Sequence, residues 1–161
     1  MPPWARLHAL ALLYSGGVGI GDERRFFSLG GFVQQDILRA LFLNRPQGCC
    51  TYLRGYDPGF VAGDQYHLLS VEYRAPLLWF ERSKDTFPVY LRRLNGAIFG
   101  DAGDAFFGSL KFGNLHYGAG AELRLETHLI YYIDAEIMLG FAHGFSDQGG
   151  NHAYLVFSFP F

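Results

Sequence analysis

The chain is poor in cysteine. Among its 161 residues only Cys49 and Cys50 are cysteines, and they are neighbours. Adjacent Cα atoms sit about 3.8 Å apart, below the usual span of a disulfide, so no bridge between them is expected. They carry no redox role here and identify no compartment. A run of about 18 apolar residues is also missing, so no transmembrane helix is expected. Charge of either sign is scarce: 13 Lys and Arg stand against 15 Asp and Glu, a net of −2. That balance offers no electrostatic reason to expect a nucleic-acid partner. Motifs that carry covalent or cofactor chemistry are missing too. The stretch "GGVGIG" (Gly16 to Gly21) lacks the spacing of a dinucleotide fingerprint. The six histidines show no paired ligand spacing, and no ligand loop follows Asp101 and Asp104, so no metal is expected. Nothing resembles a nucleophile with its base. The reading is therefore of a non-enzyme without a cofactor.

Glycine and aromatic residues are abundant, with 21 Gly, 16 Phe and 10 Tyr. These favour strands and turns over helices. From residue 64 onward the chain falls into segments of roughly ten residues that alternate in polarity, as an antiparallel barrel requires. In "QYHLLSVEYRA", Leu69, Val71, Tyr73 and Ala75 share one face, and Ser70, Glu72 and Arg74 the other. In "NLHYGAGAELRLE", Leu115, Tyr117, Ala119, Ala121, Leu123 and Leu125 oppose His116, Gly118, Gly120, Glu122, Arg124 and Glu126. "YIDAEIMLGF" repeats the pattern, and "YLVFSFPF" places Leu155, Phe157, Phe159 and Phe161 together. The expected strands are 4–15, 65–77, 91–103, 114–127, 130–143 and 152–161. A long connection, 22–63, separates the first from the rest, and "QQDILRALF" within it reads as a short helix. The opening "MPPWARLHALALLYSGG" reads as a strand, with a signal peptide as the alternative.

Alternation does not say which face meets the core. Three features favour lipid outside and a polar lumen inside. The apolar faces are uncharged over successive strands, the polar faces mix both charge signs with glycine, and the chain ends on aromatic Phe161.

Four elements then occur in a set order: "LRGY" (Leu53 to Tyr56) in the long loop, "SVEYRAPL", "AIFGDAG", and a last strand ending in phenylalanine. This order resembles the C-terminal part of the Omp-eighty-five superfamily, the bacterial surface antigens, whose members include the BamA and TamA insertases and the two-partner-secretion transporters. The resemblance covers about the whole chain, most clearly from Phe27 onward. It implies a loop that folds back into the lumen and docks an arginine on acidic residues of the next two strands. Carried over, Arg54 is the loop arginine, and Gly55 and Tyr56 complete the motif. Glu72 is the acid of the following strand, and Phe99, Asp101 and Gly103 form the Phe-x-Asp-x-Gly pattern of the strand after it. A guanidinium in a confined lumen needs partners, and a carboxylate matches its fork. Phe157, Phe159 and Phe161 resemble the C-terminal signal read by assembly machinery, although Pro160 removes a ladder donor.

Six strands are fewer than the eight or more of a single-chain outer-membrane barrel, and open edges cannot face lipid. The expected fold is thus an all-β, antiparallel transmembrane β-barrel, of which the resemblance implies that the chain is about the last six strands of a family barrel of about sixteen. Missing barrel strands or other chains would close it. The expected place is a bacterial-type outer membrane, with the lipid bilayer and unfolded outer-membrane or secreted polypeptides as partners. The expected function is insertion or translocation of those polypeptides. Two alternatives stand beside it: a barrel that only anchors, or forms a passive pore for, an upstream enzyme domain, and a soluble β-barrel that binds a small apolar ligand.

Overall fold

The computed structural model describes residues 8–20, 26–31, 52–83, 89–108, 114–129 and 133–158. The expected helix over "QQDILRALF", both cysteines, Phe159, Pro160 and Phe161 lie outside them. The described chain is all-β. Its strands are β1 (Ala9–Val18), β2 (Phe27–Leu29), β3 (Val61–Gly63), β4 (Gln65–Ser83), β5 (Val89–Phe106), β6 (His116–Leu129), β7 (Ile133–Gly144) and β8 (Asn151–Ser158).

Six strands form one antiparallel sheet in the order β1-β4-β5-β6-β7-β8. Strands β1 and β8 are its edges, and no pairing joins them among the described residues, so the sheet is open. β4 and β5 run longer than the alternation suggested, reaching Ser83 and starting at Val89. Clean alternation stops near Pro76, where register shifts between Pro76 and Leu78 and between Trp79 and Arg82 carry the ladder onward. No helix among the described residues is long and apolar enough to cross a membrane, which says nothing about crossing by strands.

The long connection is not structureless at its ends. β2 and β3 pair as a two-stranded ribbon, and a bridge joins Gly30 to Tyr52. The ribbon and the following turn bury Leu29, Leu53 and Tyr56 against Tyr66, Leu68 and Ala105 of the large sheet. This is the larger of the two apolar clusters, so the loop is packed on the sheet as part of the fold.

The apolar face of the sheet points outward. Leu10 is 74% exposed, Leu12 72% and Ile98 61%, and Val71, Tyr117, Leu123, Leu139, Phe141 and Leu155 are exposed on the same side. The opposite side carries the ribbon and the buried charges Arg54, Glu72, Asp101 and Glu122. The exposed side thus carries many large apolar side chains, while the buried charges and the two apolar clusters share the opposite side.

Candidate functional site

Three transverse rows of paired residues build the site. The first runs Ser70, Asp101, Gly118, Gly144 across β4, β5, β6 and β7. The second runs Glu72, Phe99, Gly120, Ala142, and the third Arg74, Ala97, Glu122, Gly140, Tyr154, the last on β8. Because partners in a register share a face, all these side chains face the loop.

Arg54 spans the rows. Its Nε donates to Asp101 Oδ2 at 2.7 Å and its Nη2 to Asp101 Oδ1 at 2.8 Å, a two-pronged fork. The Arg54 backbone N–H adds a third, longer bond to Oδ2 at 3.3 Å. Nη1 donates to Glu122 Oε1 at 2.8 Å and lies 3.5 Å from Glu72 Oε2. Nη2 also reaches Ser70 Oγ at 3.0 Å, and that hydroxyl donates to Asp101 Oδ1 at 2.6 Å. Beneath the guanidinium lies the Phe99 ring, its centroid 3.4 Å from Cζ. Burial by itself would lower the Arg54 pKa. The hydrogen bonds and charge of Asp101, then those of Glu122, outweigh it and hold the pKa above its ordinary value.

The carboxylates have further cations. Arg124 Nη2 lies 2.7 Å from Glu72 Oε1, and its Nε donates to Glu122 Oε2 at 3.0 Å. Arg74 donates to Glu72 as well. Three carboxylates therefore face three guanidinium groups, a cluster neutral as a whole, as burial demands.

Glycines let the loop backbone down onto the strands. Gly55 has φ +93°, a left-handed conformation that favours glycine. A Cβ on Gly55 would overlap the Gly144 amide, and one on Gly118 would overlap the Arg54 carbonyl oxygen. Tyr56, next along, donates from its hydroxyl to the Tyr117 carbonyl at 2.7 Å and accepts from the Ser146 N–H at 3.3 Å. The Gly150 N–H donates to the Gly55 carbonyl, tying the β7–β8 connection to the same turn.

Of the residues singled out from sequence, the structure brings Arg54, Gly55, Tyr56, Glu72, Phe99 and Asp101 together. Glu72 stands farther from Arg54 than Asp101 does, and Arg74 and Arg124 both lie nearer to it than Arg54. Gly103 sits at the edge of the site. A Cβ there would lie 2.9 Å from the His67 carbonyl oxygen and 3.4 Å from Leu29 of the ribbon, so the closest loop approach is over Gly118 instead. Phe157 is elsewhere, on the outward-facing parity of β8 opposite Ile137. Sequence reasoning missed Glu122, Arg124, Ser70 and Tyr154 as members. The first three had been assigned to polar faces, and Tyr154 falls on the polar parity of its strand. Their convergence depends on the cross-strand register, which one sequence does not show. No protein-family model matches this chain, and neither a curated protein nor a solved structure is significantly similar to it.

Proposed function

We propose that this chain is the C-terminal part of an outer-membrane β-barrel of the Omp-eighty-five type, which inserts or translocates other polypeptides. The observation that carries the reading is Arg54 of the Leu-Arg-Gly-Tyr loop forked onto Asp101 of the Phe-x-Asp-x-Gly strand. The pairing joins two motifs 47 residues apart in the order the resemblance requires. The outward apolar face supports the same reading, since side chains such as Leu10, Leu12 and Ile98 need lipid to cover them. It speaks against a soluble apolar-ligand barrel, whose apolar side chains would line the interior. The loop latch holds the ribbon on the polar face, and the sheet edges are the surfaces on which an incoming strand can be templated. No bond is made or broken. The partners are the bilayer, a client polypeptide, and further strands that close the barrel.

The test is client folding in liposomes. With the native full-length polypeptide reconstituted, an unfolded outer-membrane β-barrel client should fold faster than in protein-free liposomes, and Arg54→Ala should remove most of the acceleration. Ion conductance without accelerated folding would establish the passive pore or anchor instead.

A further inference from the structure

Among the described residues strand β8 is an edge, laddered on one side only, to β7. Its Tyr154 reaches inward across the sheet. The ring crosses Gly140, where a Cβ would overlap it, and joins Phe99 and Ala142 in a buried cluster flanked by Met138 and Val156. The hydroxyl donates to Glu122 Oε1 at 2.5 Å. That same oxygen accepts from Arg54 Nη1 at 2.8 Å. Arg54 and Tyr154 therefore share one carboxylate oxygen, and they share Phe99, which carries the guanidinium on its face and packs in the Tyr154 cluster.

We propose that Tyr154 is a positioning residue that couples the loop latch to the edge strand. With Arg54 docked, Glu122 Oε1 is held between two donors and β8 is pinned in register through the Tyr154 hydroxyl. With Arg54 withdrawn, Oε1 loses its charged donor while Oε2 keeps Arg124, so the carboxylate turns toward Arg124 and the hold on β8 weakens. Latch and edge then open together. This rests on the proposed function for its use, the regulation of an edge at which a client strand pairs, but the coupling itself is geometric. Tyr154 packed only as a core aromatic predicts no such link.

The experiment is a double-mutant cycle on the native full-length polypeptide in detergent micelles, read by amide hydrogen exchange of Asn151–Ser158. The proteins are the parent, Arg54→Ala, Tyr154→Phe (which keeps the ring) and the double variant. Arg54→Ala should speed β8 exchange about tenfold, as expected for a lost hydrogen bond to a charged group. The double variant should exchange little faster than either single one, because both remove the same link. Should Arg54→Ala fail to fold, Arg54→Lys enters the same cycle. Unchanged β8 exchange in the Arg54 variant, or single effects that simply multiply, would overturn the coupling. Client folding is scored separately. Coupling without client folding overturns the functional reading alone, and client folding without coupling overturns this inference alone.

Discussion

Arg54 is 7% exposed, and its main partner Asp101 is 3% exposed. The polar lumen expected from sequence would leave the pair wet, where an ion pair adds little stability. In the folded chain both members are buried, so the rule for buried pairs applies. Removing one member leaves an uncompensated buried charge, at a cost of about 3–5 kcal/mol. Arg54→Ala should lower the unfolding free energy by that order, measured by urea titration of the native full-length polypeptide in micelles. A change under about 1 kcal/mol would return the pair to the exposed class. Arg54→Lys should recover only part, because an ammonium reproduces neither the fork on Asp101 nor the planar stack on Phe99. Gly118 makes an independent prediction. Its Cβ position lies 2.0 Å from the Arg54 carbonyl oxygen, so Gly118→Ala should push the turn away although no charged group is removed. Limited proteolysis of residues 52–63 should then accelerate, with a destabilisation of about 1–3 kcal/mol from overpacking. Unaltered cleavage would mean that the turn tolerates the displacement.

At the scale of strands, the deciding feature is which face is exposed. β6, β7 and β8 present Leu123, Ile137 and Phe157 on the outward parity, each paired with a neighbour on the same side. Nitroxide labels at these three positions should report an oxygen-accessible, water-poor setting in micelles or liposomes. Labels reporting water at all three would remove the lipid-facing reading. β4 and β5, at 19 and 18 residues, exceed the 9–11 or so that a tilted strand needs to cross a bilayer. Their surplus carries the register shifts beyond Pro76 and below Arg93, where the ladder bends.

For the whole molecule the open sheet is the governing fact. Among the described residues each edge presents a row of unpaired backbone donors and acceptors, which lipid cannot satisfy and which another chain can. Residues 1–161 expressed alone should therefore give oligomers or aggregates in detergent. A monodisperse monomer by light scattering, with β1 and β8 amides both protected from exchange, would mean that the sheet closes on itself.

Much of this was legible in the residues. The alternation of Leu69, Val71 and Tyr73 with Ser70, Glu72 and Arg74 determines a strand with two unlike faces, because side chains on an extended chain point alternately to opposite sides. The same reasoning assigned Glu122 and Arg124 to a polar face, and glycine at 55 marked a turn. What the residues could not supply was alignment between strands. A ladder can slide by two residues without moving any side chain to the other face, so alternation leaves open whether Asp101 or Phe99 stands opposite Ser70. Only the folded sheet places Ser70, Asp101, Gly118 and Gly144 in one row, sets Glu122 within reach of both Arg54 and Tyr154, and buries an ion pair that a polar lumen would have left wet. Periodicity is local and belongs to the sequence. Register and burial arise from contacts between residues far apart in the chain, and the tertiary structure alone decides them.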